Sequence, residues 1–410
     1  MKKSLLALAV AALAATSFAS TASATTVYDK DGTSLSIYGR VQAVYYSDEA
    51  SGVTRDYKVS GEADKEGSIN ASGRLGFDLR SQINPYVAGF AKAEFEMSNG
   101  NNVVDENGDN FYGRYLWVGF DFGQYGQVKV GKFEEAIKYA ISQTDIYDDW
   151  GCLGLNGNDD RREGVVQYQW NGYGVDVIAS YAFAKNNEHL DGAYWTGATK
   201  EIVDLDYSYS LAVGYTSPDV LFGPIAVRAG YLGGEFADHS KNNEVLLSRL
   251  DSNLSGIAAY DSYDQFAVGV SWGSLNIGPY VGAVFQQRTF DLNVAGSETT
   301  PNGTVAFYGS GESKVTGYEF AVGYNFGNGL LVRAGYNHQK YEIDGLGEAQ
   351  GACIPVYVNY NFNPQVQVWA EARFDAGTDD DDNGDNFADA TNGVYNAQEN
   401  VFSVGLRYNI

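Results

Sequence analysis

The sequence predicts an all-β protein, a 16-stranded antiparallel transmembrane β-barrel with an inward-folded third loop. Three observations support this fold class. Apolar and polar residues alternate almost from end to end, as in β-strands that have two different faces. The connections between the alternating segments are short and long in turn. The chain also has 31 tyrosines and 21 phenylalanines, as expected for aromatic belts at two membrane interfaces.

The N-terminus has the pattern of an export signal. Residues 1–3 are a short basic region, 4–15 are an apolar run, and 22–24 are a small-residue cleavage site. We therefore expect residues 1–24 to be a signal peptide and residues 25–410 to be the mature barrel. The remaining sequence contains no apolar run of 18 or more residues, so it predicts no membrane-spanning helix.

Sixteen alternating segments are candidate strands, and an even number of strands is typical of closed bacterial barrels. None of the chain shows a convincing helical period over three turns. In chain order the segments are 34–46, 69–81, 86–98, 112–122, 127–133, 164–170, 174–185, 204–216, 224–236, 260–272, 276–288, 312–325, 329–342, 351–362, 365–376 and 398–410.

The connections predict which end of the barrel faces out. Short turns rich in Gly, Asn and Pro fit the periplasmic end, and long polar loops fit the external end. The connection "SPDVLFGP" is predicted to be longer than the other turns. The predicted long loops are 47–68, 99–111, 133–163, 186–203, 237–259, 289–311 and 377–397.

The alternation also assigns a side to each residue. In the first strand Val41 and Tyr45 share an apolar face that must meet lipid, because a charge there would cost about 2–4 kcal/mol. The opposite face, which includes Arg40, then lines a lumen wide enough to hold water. In the fourth strand the same rule places Arg114 inside and Tyr115 outside, together with Trp117.

The third long loop combines acidic residues with a basic end, in the stretch "TDIYDDWGCLGLNGNDDRREG". We predict that this loop folds into the lumen and sets a transverse field against arginines of the wall, because charged constrictions of this kind decide which solutes pass. The predicted constriction has Arg40, Arg74, Arg114, Arg161 and Arg162 on the basic side and Asp145, Asp148 and Asp149 on the acidic side.

Several segments together resemble the Gram-negative trimeric general porins, over nearly the whole mature chain. They are "YDKDGTSLSIYGRVQAVYY", "GRLGFDLRSQIN", "YGRYLWVGFDFGQYGQVKVGKF", "TDIYDDWG" and the closing aromatic strand. The resemblance implies a trimeric 16-stranded barrel whose third loop forms the narrowest point of the pore. Residues matching the family's charged positions there are Arg40, Arg74, Arg114, Arg161, Asp145 and Asp149.

The sequence leaves open whether Arg161 or its neighbour Arg162 occupies the last basic position. It also departs from the family at the loop, where "DDWGC" adds Asp148 and Cys152, and at the C-terminus, where Ile410 replaces a phenylalanine thought to guide barrel assembly.

The two cysteines of the chain are candidates for a disulfide bond. Alternation places Cys353 on the lumen face of the fourteenth strand, and Cys152 lies in the loop predicted to fold inward. Because an exported chain meets an oxidising compartment, we predict a Cys152–Cys353 disulfide that pins the loop to the wall. The alternative is two independent buried thiols, which the sequence leaves open.

The function predicted is an outer-membrane channel of a Gram-negative bacterium for passive diffusion of ions and small hydrophilic solutes. A net charge of −25 favours cations weakly and argues against nucleic acid as a partner. Contact with lipopolysaccharide bridged by divalent cations is the alternative role for the acidic run at 379–385. One alternative is a porin preferring sugars or oligosaccharides, with Tyr147 and Trp150 as the aromatic candidates in the loop. Another is an adhesion or phage-receptor protein.

Enzymatic chemistry is not predicted. The three histidines His189, His239 and His338 are dispersed and match no metal site or triad. The acidic run at 379–385 has calcium-loop spacing, but its twelfth position is Ala390 rather than the required glutamate. A solvated acidic loop is therefore the favoured interpretation, and we predict no cofactor and no dedicated metal site.

Overall fold

The computed structural model describes residues 24–48, 66–98, 111–158, 160–193, 202–249, 253–301, 303–344, 347–377 and 400–410. The predicted signal peptide lies almost entirely outside these residues, and so does the acidic segment 379–385. Among the described residues, no helix has the length and apolar character needed to cross a membrane.

The described residues form one antiparallel sheet of 19 strands. The one α-helix within these ranges, α1 (Ile137–Ile141), follows the sixth strand, and 3-10 turns occupy Gly123–Tyr125, Lys241–Asn243 and Leu247–Arg249. The strands are β1 (Thr25–Lys30), β2 (Thr33–Asp48), β3 (Glu66–Asn84), β4 (Val87–Ser98), β5 (Phe111–Asp121), β6 (Gln127–Glu134), β7 (Arg161–Gly172), β8 (Val175–Ala182), β9 (Lys185–His189), β10 (Ile202–Val220), β11 (Gly223–Phe236), β12 (Glu244–Leu246), β13 (Leu254–Gly273), β14 (Gly278–Thr300), β15 (Gly303–Asn325), β16 (Leu330–Ile343), β17 (Gly347–Asn361), β18 (Val366–Asp375) and β19 (Val401–Asn409).

Sixteen of these strands form a closed ring. Each pairs with the next along the chain, skipping β9 and β12, and β19 pairs with β2 so that Tyr408 lies opposite Val41. The other three strands extend the ring locally, with β1 on β2, β9 on β10 and β12 on β13. The predicted 16-stranded antiparallel barrel is confirmed, and all sixteen predicted segments fall on ring strands.

The two faces of the barrel are those that the alternation predicts. On β2, Val41 is 60% exposed and Tyr45 is 37% exposed, whereas Tyr46, the residue after Tyr45, is 4% exposed. The last strand alternates in the same way from Val401 to Asn409. The exposed apolar face is the outer face, and we call the buried, largely polar face the inner face.

The connection "SPDVLFGP" is shorter than predicted. Strands β10 and β11 continue until Val220 pairs with Gly223, so that only residues 221 and 222 form the turn. An irregularity between Thr216 and Asp219 accommodates Pro218, which cannot donate to the ladder. The prediction was wrong here because a proline within a strand reads as a break when the bulge is not visible in the sequence.

The predicted long loop 289–311 is also wrong. Strands β14 and β15 run through it and pair as far as Thr300 and Gly303. Since about 9–11 residues suffice to cross a membrane, these strands of 23 residues each extend well beyond the bilayer. Their glycine and polar content suggested a loop, but every second residue from Phe290 to Val294 is apolar and continues the strand pattern.

Candidate functional site

The segment 135–160 connects β6 to β7, and we call it loop 3. Its residues contact inner-face groups on strands far round the ring. The Tyr139 hydroxyl donates to Asp176 of β8 at 2.7 Å, and Tyr280 of β14 donates to the Gln143 carbonyl at 2.6 Å. Further along, Arg333 of β16 donates to the Ile146 carbonyl. Loop 3 therefore follows the wall from β8 towards β16.

Glycine on the wall permits this close approach. A Cβ added to Gly282 of β14 would lie 2.5 Å from the Gln143 carbonyl oxygen, which no real structure tolerates. At Gly317 of β15 a Cβ would collide with the backbone of Gly154. Small residues in these strands are thus explained by the loop backbone that lies against them.

One carboxylate of the wall holds the turn of loop 3. Glu371 of β18 is 1% exposed, and its Oε2 accepts from the backbone N–H groups of Asp148 and Asp149, each at 3.0 Å. Its Oε1 accepts from the N–H of Trp150 at 2.7 Å. Three successive backbone donors around one carboxylate form an anion nest, here with the anion supplied by the barrel.

The acidic residues predicted for the site have different partners. Asp145 pairs with Lys138 inside loop 3 at 3.0 Å. Asp148 pairs with Arg407 of β19 at 2.6 Å and accepts from Tyr357 at 2.6 Å.

Within the part of the chain that the structure describes, Asp149 accepts hydrogen bonds from three neutral donors. They are the Tyr46 hydroxyl at 3.2 Å, Trp369 Nε1 at 2.8 Å and Ser403 Oγ at 2.5 Å. The two adjacent aspartates therefore face the wall formed by β17 to β19 and β2, one through a cation and one through a cage of neutral groups.

The two aspartates differ in protonation behaviour. Burial alone would raise the pKa of Asp148, but Arg407 and the Tyr357 hydroxyl outweigh it, and Arg40 adds to them, so that the pKa falls to about 2. Burial raises the pKa of Asp149, and the neighbouring Asp148 charge raises it further. Asp148 is thus the more firmly ionised member of the pair.

The wall arginines predicted for the site are neutralised by carboxylates on adjacent strands. Arg74 lies 2.6 Å from Glu96 and 3.5 Å from Glu94, and Arg114 lies 3.0 Å from Glu94 and 3.1 Å from Glu96. The Tyr38 hydroxyl also donates to Glu94 at 2.7 Å. Glu94 and Glu96 are both buried on the inner face of β4, and neither was among the residues predicted for the site.

Arg40 lies between the Arg74 network on the wall and the acidic residues of loop 3. It is directly opposite Arg74 in the β2–β3 ladder and opposite Asn409 in the β19–β2 ladder. Its positive charge also helps to lower the pKa of Asp148 in loop 3. The structure therefore brings Arg40, Arg74 and Arg114 together and sets Arg40 within electrostatic reach of a loop acid.

Arg161 and Arg162 begin β7, next to a register shift in the β6–β7 ladder. Arg162 is 1% exposed and donates to Glu135, Ser208 and Tyr263 at 3.0, 2.6 and 3.1 Å. Arg161 lies 3.5 Å from Glu134, and its guanidinium is 5.8 Å from the ring of Tyr115. Arg162 is enclosed at the end of loop 3, whereas Arg161 joins the arginine wall.

The side assigned to Tyr115 and Trp117 is corrected by the structure. A register shift between Glu94 and Phe95 leaves Arg114 as an extra residue in β5. Tyr115 then lies opposite Glu94 and donates to Glu134 at 2.6 Å, and Trp117 packs with it against Phe133. Strict alternation fails because a β-bulge lets Arg114 and the following residue point to the same side.

The predicted Cys152–Cys353 disulfide is wrong. Both residues are free thiols, and Cys353 is buried on the inner face of β17 as alternation predicted. The Cys152 thiol instead donates to Asp145 Oδ1 at 3.1 Å. Burial raises the pKa of Cys152 well above its ordinary value, and Asp145 raises it further, so the thiol form is favoured over the reactive thiolate.

The loop aromatics considered for sugar binding pack into the wall. Trp150 is 3% exposed and meets Tyr46 edge-on with ring centroids 5.7 Å apart. Tyr147 contacts the same cluster of inner-face aromatics. Trp150 is thus enclosed by the wall, whereas Tyr147 is half-buried.

Sequence reasoning missed three inner-face residues that position loop 3, namely Glu319, Glu371 and Arg407. Glu319 of β15 accepts from the Gly154 N–H at 2.9 Å, which adds a second carboxylate contact to the loop backbone. The available signal was a charged residue at an inward position of an otherwise ordinary strand. That signal does not say which segment supplies the partner.

The histidines and possible metal ligands form no separate site. Within the described ranges, no group of three or more His, Cys, Asp or Glu side chains is placed to hold a metal ion. His189 contacts Asp160 at 3.3 Å, and His338 stacks on Tyr318 with ring centroids 4.5 Å apart.

Comparisons with known proteins agree with this architecture. The model of a family described as Gram-negative porin matches residues 7–344. The outer membrane porin protein OmpD of Salmonella typhimurium is 26% identical, with 100% of this chain and 99% of that protein aligned. Outer membrane protein F of Serratia marcescens is 24% identical over 100% of this chain and 99% of its own length.

Solved structures with the same fold include the Salmonella typhi OmpF complex with daunomycin. It has a TM-score of 0.65 and 18% identity, and the match covers 94% of this chain and 100% of that one. The in-vitro folded OmpT of Vibrio cholerae, in its trimer form, has a TM-score of 0.58 and 17% identity over 93% and 100% of the two chains. An anion-selective porin from Comamonas acidovorans has a TM-score of 0.58 and 14% identity over 92% and 100%.

Proposed function

The chain belongs to the Gram-negative porin family and forms an outer-membrane channel, and we propose that it is a general diffusion pore for ions and small hydrophilic solutes. In this proposal, loop 3 lies in the lumen and narrows it. The relatives are porins, which are channels rather than enzymes. A weak preference for cations and a homotrimeric assembly complete the proposal.

The main observation that supports the proposed constriction is the binding of three loop 3 N–H groups by the Glu371 carboxylate. A carboxylate on the inner face of β18 accepts from three successive N–H groups of a loop that begins at β6. The Asp148–Arg407 ion pair and the Glu319–Gly154 hydrogen bond support the same position of the loop on other strands. These contacts leave the Arg40, Arg74 and Arg114 side of the wall to bound the remaining opening.

The proposed ion preference depends on how the wall charges cancel. Arg74 and Arg114 share Glu94 and Glu96, so this four-residue network has no net charge. The chain as a whole carries a formal charge of −25, which enriches cations near the mouths. The fold does not set the sign of the preference, because the solved Comamonas acidovorans porin is described as anion-selective.

The proposed partners follow from the family and the charge. A trimer form is named for the solved Vibrio cholerae OmpT, and we propose three copies for this chain. We also propose that the acidic external loops contact lipopolysaccharide through divalent cations, since carboxylates and phosphates would otherwise repel each other.

Planar-bilayer recording tests the proposed function. We expect large ohmic current steps in groups of three and no block by a single sugar class. Block by one sugar family would replace this proposal with the substrate-preferring alternative, and an absence of steps would contradict the diffusion pore altogether.

The charge network gives a selectivity test. Arg74→Gln leaves Glu94 and Glu96 with one arginine, so the cation-to-anion permeability ratio should rise about two- to fivefold, since a unit charge at 4 Å contributes about 1 kcal/mol in water. Arg80→Gln is the matched control, because Arg80 lies on the same strand but pairs with Asp121 nearer the turns. Reversal potentials in a salt gradient measure the ratio, and equal values for the two variants would contradict the proposal.

A further inference from the structure

A cavity of about 390 Å³ lies on the inner face where β14 and β15 extend beyond the other strands. Its lining residues come from the external ends of β13 to β16 and from the segment around β12. They are predominantly apolar and include Val245, Leu247, Leu254, Ala258, Leu292 and Val294. We call this space the vestibule cavity.

The apolar lining contrasts with the rest of the same strands. Closer to loop 3, the inner faces of β13 and β14 carry the buried amides Gln265 and Gln286, which donate to the Asn156 and Gly154 carbonyls of the loop. Beyond Tyr260 and Phe290 the same faces become apolar. A wet pore has no need for such a surface, and a ligand that covers it gains from removing apolar area from water.

Aromatic side chains form one side of the vestibule cavity. Tyr260, Phe307 and Tyr308 are among the lining residues. Two rings outside the lining hold Tyr260 in place, Phe290 edge-on and Phe236 stacked, each with centroids 5.2 Å from it. Tyr341, which is 0% exposed, also lines the cavity. Rings held in fixed positions by their neighbours are a preformed surface for another planar group.

The charges around the vestibule cavity favour a cation. Asp344 is the charged residue among the lining side chains that the structure describes. Its backbone N–H donates to the carbonyl of Glu312 at 2.9 Å, which brings a second carboxylate-bearing residue to the same rim. Lys314 lies 2.6 Å from Glu312 and offsets part of this charge, but not that of Asp344 as well.

We propose that the vestibule cavity binds amphipathic organic cations that have a bicyclic aromatic group and an ammonium head. The aromatic group fills the apolar space, and the ammonium lies at Asp344. The volume is within the range of about 300–1,000 Å³ that is usual for small-molecule sites. This site is separate from the constriction at loop 3, so binding does not require the proposed conduction mechanism.

The test is a titration of 1-naphthylmethylammonium into the purified full-length protein in lipid nanodiscs, with empty nanodiscs subtracted. Methylammonium retains the head without the ring, and 1-naphthylacetate retains the ring with the opposite charge. We expect saturable binding of the first compound that is at least about tenfold tighter than that of either control, because only the first satisfies both halves of the site.

Two variants locate the binding. Gly311→Leu adds a side chain within the cavity, where a Cβ meets Val294 at an ordinary 3.9 Å, and it should weaken binding about tenfold by filling the space. Asp344→Asn should weaken binding of the cation and reduce its advantage over naphthylacetate. Asp291→Asn is the matched control, since Asp291 lies on β14 but accepts from Ser262 away from the lining.

Each result decides the proposal. Unchanged affinity in Gly311→Leu, with its conductance and heat-resistant folded form intact, would overturn the assignment to this cavity. Equal binding of naphthylacetate would overturn the role of Asp344, and equal binding of methylammonium would overturn the role of the apolar lining. An absence of saturable binding to the unchanged protein would overturn the proposal as a whole.

Discussion

Glu371 of the wall accepts three hydrogen bonds from the backbone of loop 3. Its two oxygens accept from Asp148, Asp149 and Trp150, all within a buried site. A buried donor left without an acceptor costs about 1–3 kcal/mol. Removing the carboxylate therefore affects three backbone groups at once, which is more than any single loop side chain could do.

We expect Glu371→Leu to loosen loop 3 while the barrel still forms. The three N–H groups lose their acceptor, so single-channel current should become noisier and closure should begin at a lower voltage. The control is Glu348→Leu on the neighbouring strand β17, because the Glu348 side chain is 64% exposed and pairs with Lys340 rather than with loop 3. Quiet currents identical to those of the control would contradict the role given to Glu371.

The lowered pKa of Asp148 predicts that the attachment of loop 3 to the wall depends on pH. Its pKa is about 2 in the folded protein, below the ordinary 3.8, so its ion pair with Arg407 stabilises the fold above pH 4. This contribution is lost as the pH falls from about 4 to about 2. We expect the stability difference between the unchanged protein and Asp148→Asn to be constant from pH 7 to 5.

The stability difference between the unchanged protein and Asp148→Asn should shrink as the pH falls towards 2, because Asp148 is then increasingly protonated. Unfolding by urea in micelles at a series of pH values measures it. A difference that disappears already between pH 7 and 5 would contradict the assignment of the depressed pKa to Asp148.

The sixteen ring strands could be predicted because alternation is a local property of the sequence. Each apolar residue that faces lipid is separated by one position from the next, whatever the neighbouring strand does. The misplacement of Tyr115 shows the limit of this rule. The bulge at Arg114 depends on how β5 pairs with β4, and neither strand records that register alone.

The candidate site could be predicted only in part for a similar reason. Charged residues at inward positions identify Arg40, Arg74 and Arg114 as lumen residues. The partner of Glu371 cannot be found in this way, because Asp149 is separated from it by 222 residues and contributes its backbone rather than a side chain. The disulfide prediction failed because sequence gives the side on which a cysteine lies but not its distance from another.

The pairing of β14 with β15 predicts that the barrel forms without the external half of this hairpin. Ala295 lies opposite Tyr308 in the ladder, so residues 296–307 can be replaced by an Asn-Gly turn without changing the register. We expect the shortened protein to fold, to resist heat in detergent and to conduct with steps of unchanged size. Loss of the heat-resistant form would show that the hairpin end is required for the barrel.

The barrel must present an apolar outer face to lipid around its entire circumference. Exposed apolar residues occur on the outer face of strands throughout the ring, from Val41 on β2 to Leu406 on β19, which are 60% and 54% exposed. Closure through the β19–β2 ladder leaves no strand edge in the hydrocarbon region. Stability in the membrane therefore depends on which side of a strand carries a charge.

Val268 offers a direct test, because it is 48% exposed on the outer face of β13 and lies five residues before Gly273, where the strand ends. Since about 9–11 residues cross the membrane, we expect Val268 near the midplane. We expect Val268→Arg to destabilise the protein folded in lipid vesicles by about 2–4 kcal/mol, the usual cost of arginine at the midplane of a barrel. Val268→Leu adds volume without charge and should be nearly neutral. Ser271→Arg, on the inner face of the same strand, should cost much less because its charge remains in water. If the two arginine variants lost equal stability in urea titrations, the division into a lipid face and a wet face would be wrong.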